Sequence, residues 1–272
     1  MSRPAPTAVP PVLVVAATAF ELAPLVDRLA DARSSDTGWT DAVRGRLAGL
    51  EVVAQALGVG KARTAAGLAW SVRAHRPAAI LQVGVGGAYL GSFLSIGLAM
   101  LADADLELDL GVAGDEGWAD FEALRVPLLP ARPGEPAAPA GASPDRAVAT
   151  DARWTGLLAS ASGLPRGRFA TLDAVTADVE RGAAMQRRFD VAIESMEGAA
   201  AAAVAARLGV PFAELRAVSN LVGERDRALW DLRGAVRTAS DAAAAALGGV
   251  ADDPRWAEIL WDRAESDLRT GW

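Results

Sequence analysis

The residues of this sequence that could do chemistry stand where apolar runs end. Glu21 and a glycine cluster at 84–87 each follow such a run, and so do Glu197 and the pair Ser219 and Asn220. In open α/β sheets, ligands bind outside the carboxyl ends of the strands. If these runs are strands of one sheet, the side chains at their ends form a single ligand site.

Each of these signals also has a plain structural explanation. Glu21 falls in the first turn of a predicted helix, where the helix dipole favours a carboxylate. Glu197 is explained by helix capping, and Ser219 with Asn220 by a polar turn. The glycine cluster at 84–87 lacks the spacing of either nucleotide-binding fingerprint, so we expect a tight turn there.

Composition excludes much familiar hydrolytic chemistry. The chain has 272 residues with 27 Lys and Arg, 34 Asp and Glu, a net charge of -7, no cysteine and one histidine. Without cysteine there is no disulfide, thiolate metal cluster or cysteine nucleophile. His75 cannot build a multi-histidine metal site alone, and at a predicted helix end we expect it to be solvated or to interact with the helix dipole. A net-negative chain without a Lys or Arg run predicts no nucleic-acid partner.

Apolar runs alternate with helical patterns along the chain, which predicts an α/β fold. The predicted strands cover residues 12–15, 80–83, 96–102, 168–175, 191–195 and 212–219, and a hairpin at 44–57 turns near Ala48 and Gly49. The predicted helices cover residues 20–30, 61–73, 152–162, 197–208 and 234–247. We expect a single-domain three-layer sandwich, with a mostly parallel, mixed central sheet flanked by helices.

The predicted domain covers residues 12–250, preceded by a disordered tail at 1–11 and followed by a C-terminal extension at 251–272. A proline-rich segment at 127–144 is expected to be a surface loop within this domain. The first apolar run is too short to span a bilayer, which takes about 20 residues. We therefore expect a cytoplasmic protein with no membrane partner.

Taken together, these segments resemble the nucleoside phosphorylase and nucleosidase superfamily, in particular its hydrolytic branch of methylthioadenosine nucleosidase-like enzymes. Segment 58–61, Gly-Val-Gly-Lys, resembles the family's Gly-Ile-Gly-Lys segment. Segment 194–199, Glu-Ser-Met-Glu-Gly-Ala, is similar to the Glu-Met-Glu-(Ala/Gly) signature. Ser219 and Asn220 stand where the methylthioadenosine enzymes have Ser-Asp.

Within the superfamily, segments 171–176 and 222–226 and Trp230 look most like those of the futalosine hydrolases. Those enzymes release hypoxanthine from futalosine in an alternative menaquinone pathway. The resemblance implies hydrolysis of the N-glycosidic bond of a purine nucleoside by a homo-oligomer. It implies neither a metal nor an organic cofactor.

The resemblance also implies which residues do the work. Glu21 would activate the attacking water, Glu197 would hold the ribose, and Asn220 would act on the departing base. The other substrate-binding residues that it implies are Val85, Gly86, Val175, Thr176, Met196 and Ser219.

Asn220 has a physical interpretation of its own. Its amide can donate to the O6 atom of a 6-oxopurine and accept from a protonated N7, whereas an ionised Asp would meet O6 acceptor to acceptor. Asn220 therefore favours a hypoxanthine-type base. Because an amide is a poor acid, we expect the proton for N7 to come from a bound water or from solvent.

Three alternatives remain open: a 6-oxopurine nucleoside phosphorylase, a methylthioadenosine or aminofutalosine nucleosidase, and a nucleoside-binding protein without turnover. A phosphorylase binds a phosphate dianion, usually with Arg side chains and a Ser hydroxyl. Here Val85 stands where a hydroxyl would help, no Arg follows the first strand, and Glu21 is acidic, so water is the better nucleophile. A binding protein would need Glu197 but not Glu21.

Overall fold

The structure is a computed structural model that describes residues 9–114, 117–120 and 147–260. Its strands are β1 Val12–Ala16, β2 Ala30–Asp36, β3 Asp41–Leu47, β4 Leu50–Ala56, β5 Ala79–Ala88, β6 Ala99–Glu107, β7 Gly111–Gly114, β8 Gly117–Asp120, β9 Ala147–Ala149, β10 Arg166–Thr171, β11 Val191–Ser195 and β12 Phe212–Leu221. Its helices are α1 Ala19–Val26, α2 Lys61–His75, α3 Ala152–Ser162, α4 Val179–Phe189, α5 Gly198–Leu208 and α6 Leu232–Ala251. The predicted loop at 127–144 lies outside the described residues, as do residues 1–8 and 261–272 of the predicted tail and extension.

Most of the strands form one mixed sheet, in the order β11-β10-β6-β12-β5-β1-β4-β3-β2 with β9 beside β6. Its centre is parallel, because β5 pairs in parallel with β1 and β12, and β1 pairs in parallel with β4. β11 pairs in parallel with β10 and also antiparallel with β5. Five strands, β5, β12, β6, β10 and β11, therefore close into a ring.

Helices cover both faces of the open part of this sheet. Val12 and Val14 of β1 pack in one apolar cluster with α1, α3 and α6, while Leu13 and Val15 pack in another with α2 and α5. Successive side chains of a strand point to opposite faces of the sheet, so β1 is buried between two helical layers. The predicted three-layer α/β fold is confirmed. No helix among the described residues is long and apolar enough to cross a membrane.

Several elements differ from the prediction. α1 ends at Val26 instead of continuing to residue 30, and the exposed edge strand β2 begins at Ala30. β2 has no apolar alternation because neither of its faces is buried, and it forms by antiparallel pairing with β3. The amphipathic helix α4 was not predicted. The bounds of β6 and β10 are shifted by a few residues from those of the predicted strands at 96–102 and 168–175.

The glycine cluster at 84–87 belongs to β5, so the predicted tight turn is wrong. β5 continues through the glycines to Ala88, where it pairs with β11. A Cβ atom at Gly86 would lie 2.5 Å from the Ile193 side chain and 2.7 Å from the carbonyl oxygen of Glu194. The glycine allows the two strands to approach closely enough to close the ring.

Candidate active site

A cavity of about 440 Å³ opens at the carboxyl ends of β1, β5, β11 and β12. Small-molecule sites typically have volumes of about 300–1,000 Å³. All the predicted site residues line this cavity: Glu21, Val85, Gly86, Val175, Thr176, Met196, Glu197, Ser219 and Asn220. The fold therefore brings the four strand ends together.

Glu21 has both a structural position and a place in the cavity. Its Oε2 atom accepts from the hydroxyl of Thr18 at 2.8 Å and from the Thr18 N–H at 3.0 Å, while the Glu21 N–H donates to the same hydroxyl at 3.3 Å. This reciprocal arrangement is a capping box. Its Oε1 atom accepts from the Val85 N–H at 3.2 Å, and the residue is 8% exposed. The helix-terminal explanation is correct, and it fixes the carboxylate at the cavity wall.

Glu197 occupies the N-cap position of α5, but its side chain makes no capping hydrogen bond. Its Oε1 atom accepts from the Gly60 N–H at 3.1 Å, and its Oε2 atom lies 3.2 Å from Nη2 of Arg216. That second contact is an ion pair without hydrogen-bond alignment. The capping explanation for Glu197 is therefore wrong: the carboxylate is held from two sides at the cavity.

Ser219 and Asn220 remain within β12, so the predicted polar turn is also wrong. The Ser219 hydroxyl donates to Oδ1 of Asn220 at 2.8 Å, and Nδ2 of Asn220 donates to the Leu221 carbonyl at 2.9 Å. An amide carries two N–H groups and two acceptor lone pairs. One N–H and one lone pair of Asn220 therefore remain for a ligand.

Glu194 fixes the wall that carries Val175 and Thr176. Its Oε1 atom accepts from the Thr176 N–H at 2.7 Å, and its Oε2 atom accepts from the Tyr89 hydroxyl at 2.8 Å. Burial and the charge of Glu194 raise the pKa of Tyr89, so the hydroxyl stays protonated and acts as a donor. The buried carboxylate of Glu194 thus ties the base-side segment to β11.

Arg216 is a site residue that the sequence analysis missed. It is 1% exposed, its Nε atom donates to Oε1 of Glu214 at 2.7 Å, and its Nη1 atom donates to the Val85 carbonyl at 3.2 Å. Burial works to lower the pKa of Arg216, but Glu214, Glu197 and Glu21 outweigh burial and raise it. The signal was visible, since Glu214 and Arg216 stand two residues apart in an apolar strand and so share one face.

Together with Asp105, which contacts Glu214, these side chains form a buried charged group that we call the floor. The floor consists of Glu21, Asp105, Glu197, Glu214 and Arg216. These residues come from four places in the fold, namely α1, β6, the start of α5 and, for both Glu214 and Arg216, β12. A buried charge is tolerated when it is paired, and in the floor Arg216 is paired with Glu214 and Glu197.

Lys61, at the start of α2, is held outside the cavity by acidic side chains. Its Nζ atom lies 2.7 Å from Oε1 of Glu107, 2.6 Å from Oδ1 of Asp109 and 3.7 Å from Oδ2 of Asp173. Burial works to lower the pKa of Lys61, but Asp109 and Glu107 outweigh burial and raise it. The ammonium group is therefore charged and already surrounded by anions.

His75 takes no part in the cavity. It is the last residue of α2, and a helix of 15 residues places it about 20 Å from the end that contacts Glu197 through Gly60. It is half-buried rather than solvated, and burial together with Arg44 lowers the pKa of His75. The described residues contain no group of three or more His, Cys, Asp and Glu side chains that could hold a metal ion.

The chain is similar in sequence to one family and to named enzymes within it. The family described as the phosphorylase superfamily matches residues 11–251. Identity to the futalosine hydrolase of Thermus thermophilus is 35% over 182 residues, which is 64% of this chain and 71% of that protein. Identity to the futalosine hydrolase of Streptomyces coelicolor is 34% over 193 residues, which is 69% of this chain and 74% of that protein.

Solved structures share the fold. The 5′-methylthioadenosine/S-adenosylhomocysteine nucleosidase of Neisseria meningitidis matches with a TM-score of 0.73 and 22% identity, over 88% of this chain and 99% of that chain. The native futalosine hydrolase of Helicobacter pylori matches with a TM-score of 0.71 and 20% identity, over 88% of this chain and 97% of that chain. At these identities the likeness shows the fold alone.

Proposed function

The chain belongs to the phosphorylase superfamily, and on that premise we propose that it hydrolyses the N-glycosidic bond of a purine nucleoside, with futalosine as the substrate. The observation that carries this proposal is that Glu21, Glu197 and Asn220 line one cavity. One site then contains a group that can accept a proton from water, a group that can hold ribose hydroxyls and a group that can pair with a 6-oxopurine. The futalosine hydrolases among its relatives support the choice of substrate.

Charge favours water over phosphate as the nucleophile. Three carboxylates line the cavity, those of Glu21, Glu194 and Glu197. The buried cation beside them, Arg216, is already paired with Glu197 and Glu214. A phosphate dianion needs cationic donors of its own, usually Arg. A dianion placed beside Glu21 would face carboxylates, whereas a neutral water can donate to one.

In the proposed reaction, the bond between ribose C1′ and the purine nitrogen lengthens until the sugar resembles an oxocarbenium ion. Glu197 holds the ribose hydroxyls as a hydrogen-bond acceptor. The water then attacks C1′, and Glu21 accepts its proton. The Oε2 atom of Glu21 already accepts twice from Thr18, whereas Oε1 accepts from the Val85 N–H and keeps one lone pair for the water.

Asn220 binds the departing base. Its remaining N–H donates to O6, and its remaining lone pair accepts from N7 once N7 is protonated. The proton reaches N7 from solvent through a bound water, because the amide is not an acid, and Glu21 afterwards returns to solvent the proton that it took from the attacking water. The negative charge that develops on the purine is thus neutralised at N7 and the base leaves as hypoxanthine.

Release of free base tests the proposal directly. Purified protein is incubated with futalosine, inosine and methylthioadenosine, each with and without phosphate. We expect hypoxanthine from futalosine at a rate that phosphate does not change. A phosphate requirement would identify a phosphorylase, preferential release of adenine from methylthioadenosine would identify the other nucleosidase, and tight binding without release would identify a binding protein.

The pathway, compartment and assembly belong to the same proposal. We infer a cytoplasmic homo-oligomer that acts in menaquinone synthesis. Support for the assembly comes from the apolar side chains of Leu90, Phe93 and Leu98, which are exposed on one segment, Phe93 to 96%. Contiguous exposed apolar surface is typical of protein–protein contacts. Light scattering on the purified protein measures the assembly, and loss of menaquinone on gene deletion tests the pathway.

A further inference from the structure

Asp105 on β6 and Glu214 on β12 form a buried pair of carboxyl groups beneath the start of α5. Both residues are 0% exposed. A Cβ atom at Gly198 would lie 2.1 Å from Oδ2 of Asp105 and 2.2 Å from Oε2 of Glu214, so these two oxygens lie beside one point and close to each other. Neither oxygen has another hydrogen-bond partner among the described residues. One proton between them satisfies both, while two negative charges at this distance repel.

The other oxygen of each carboxyl group indicates where that proton resides. Oδ1 of Asp105 accepts from the Thr171 hydroxyl at 2.8 Å, whereas Oε1 of Glu214 accepts from Nε of Arg216 at 2.7 Å. The cation favours the ionised form of Glu214, so the proton belongs to Asp105. Burial, the charge of Glu214 and the hydrogen bond to it all raise the pKa of Asp105 well above its usual range, against Thr171 and Arg216.

We propose that protonated Asp105 donates to ionised Glu214, and that Glu214 thereby fixes the guanidinium of Arg216 against Glu197. Asp105 and Glu214 are positioning residues, since neither lines the cavity. The charged and titratable groups around the pair are Arg216 on β12, Glu197 at the start of α5 and Tyr89 after β5, and Thr171 on β10 is the neutral contact. The orientation of the Glu197 carboxylate toward the ribose thus depends on the proton of Asp105, a residue beneath the cavity.

Two isosteric variants test this proposal. Asp105→Asn keeps a donor toward Glu214 and an acceptor for Thr171, while Glu214→Gln removes the charge that holds Arg216. A misplacement of about 1 Å caused by a mutation away from the reacting atoms can cost about a hundredfold in rate. We expect that loss in kcat for Glu214→Gln, with Asp105→Asn remaining at least tenfold more active. Equal losses, or a larger loss in Asp105→Asn, would overturn the proposal.

Infrared spectroscopy provides a readout that does not depend on turnover. The wild-type protein at neutral pH should show the carbonyl band of a buried protonated carboxylic acid, and Asp105→Asn should lack it. A wild type without this band contradicts the proposal whether or not the protein hydrolyses futalosine. Failure to hydrolyse futalosine with the band present would instead contradict only the proposed function.

A different observation concerns the mouth of the cavity, which consists of Phe20, Val59, Arg225, Trp230 and Leu232. The guanidinium carbon of Arg225 lies 5.1 Å from the centroid of the Trp230 ring. A more open second cavity shares Phe20, Trp230 and Leu232 with the first and is also lined by Asp231 and Arg233. The mouth therefore combines apolar area with the positive charge of Arg225, and Arg227 lies 6.0 Å from the centroid of the same Trp230 ring.

Arg225 has no carboxylate partner in the part of the chain that the structure describes. The acidic neighbours Glu224 and Asp226 are occupied locally, because Glu224 accepts from the Asp226 N–H at 2.7 Å and Asp226 accepts from the Ala228 N–H at 2.9 Å. Arg225 is an exposed arginine at the rim of a cavity that the carboxylates of Glu21, Glu194 and Glu197 line. Stacking on Trp230 orients it and leaves its N–H groups available.

Resting on the proposed function, we infer that the mouth binds an aromatic carboxylate at the non-purine end of the nucleoside. Trp230 and Phe20 contact the ring, and Arg225 pairs with the carboxylate, for which a guanidinium offers two parallel N–H donors. The carboxybenzoyl tail of futalosine belongs to this class, and inosine has no such group. Arg225 is then the residue that separates the two substrates.

The test is the ratio of kcat/KM for futalosine to kcat/KM for inosine. We expect Arg225→Gln to lower this ratio about tenfold or more, the loss usual for one charge-assisted pair, and mainly through KM. Arg237→Gln is the matched control, since Arg237 is an exposed arginine on α6 that does not line either cavity. A ratio that stays the same in Arg225→Gln overturns the inference. A wild type that releases base from neither nucleoside would contradict the proposed function instead.

Discussion

Two arginines at opposite ends of one cavity have opposite surroundings. Arg216 in the floor is buried among Glu197, Glu214 and Glu21, so its charge is paired by groups of the protein itself. Arg225 at the mouth is exposed and has no carboxylate partner among the described residues. Preorganised charge lowers the barrier of a reaction, whereas a charge that is paired only in the complex selects the ligand. The floor is thus suited to turnover and the mouth to the choice of substrate.

The largest expected effect is in the floor. Glu21→Gln keeps the shape of the side chain but removes the charge that accepts a proton from water. Losing a general base typically costs about a hundredfold to ten-thousandfold in rate. We expect kcat to fall by that factor for futalosine and inosine alike, with nucleoside affinity largely retained in isothermal titration. Turnover close to wild type would leave Glu21 with only its capping box, and the floor would lose its catalytic role.

Asn220→Asp tests the part of the cavity between the floor and the mouth. The carboxylate would meet the O6 atom of a 6-oxopurine acceptor to acceptor, but could accept from the exocyclic N–H of a 6-aminopurine. Leaving one buried polar group unpaired costs roughly 1–3 kcal/mol, so the preference for futalosine over aminofutalosine should fall about tenfold or more. Measuring kcat/KM for both nucleosides on both proteins decides the point, and an unchanged preference would place Asn220 away from the base.

The proton of Asp105 should make the free energy of unfolding depend on pH. The pKa of Asp105 is raised in the folded protein, so folding binds a proton at any pH between the ordinary value of 3.8 and the raised one. Stability from this group is therefore present at low pH and lost as pH rises, by about 1.4 kcal/mol per pH unit for one proton. Denaturant unfolding of wild type and Asp105→Asn between pH 5 and pH 7 measures it. We expect the difference between the two free energies of unfolding to change with that slope; parallel curves would mean that Asp105 is ionised.

The smallest expected effect is at the mouth. Trp230→Ala removes the ring that the guanidinium carbons of Arg225 and Arg227 approach at 5.1 Å and 6.0 Å, together with a long hydrogen bond from the indole N–H to the Glu224 carbonyl at 3.3 Å. Exposed cation–π contacts contribute about 0.5–1 kcal/mol. The ratio of kcat/KM for futalosine to that for inosine should therefore fall by a few fold, with little change in the melting temperature. A large loss of kcat for both nucleosides would contradict the proposed division of roles between the floor and the mouth.

Sequence reasoning located the residues that line the cavity and missed the charges beneath them. Glu21, Glu197 and Asn220 were found because they follow apolar runs, and strand ends are where ligands bind. Glu214 and Arg216 lie inside such a run. The role of a charged residue there can be inferred only when its partner on another strand is known. Asp105 is that partner, and it comes from β6, more than a hundred residues earlier in the chain.

Local patterns failed where tertiary contacts decide the conformation. β2 has an entirely exposed, polar sequence and exists through its pairing with β3. The glycines of β5 have the composition of a turn, yet they form a strand because Ile193 and Glu194 of β11 pass too close for a side chain. The capping explanation was correct for Glu21 and wrong for Glu197, since only the contacts with Gly60 and Arg216 distinguish the two carboxylates.

The ring of strands also determines when the site appears during folding. It closes only when Ile193 and Glu194 of β11 pair with Ala88 and Gly87 of β5, residues that are far apart in the chain. Contacts between distant segments form slowly, because the intervening chain must lose entropy before the contact stabilises anything. Met196 and Glu197 directly follow β11, so this closure also places them at the cavity. We therefore expect catalytic competence to appear late in refolding, with recovery of activity reporting completion of the ring.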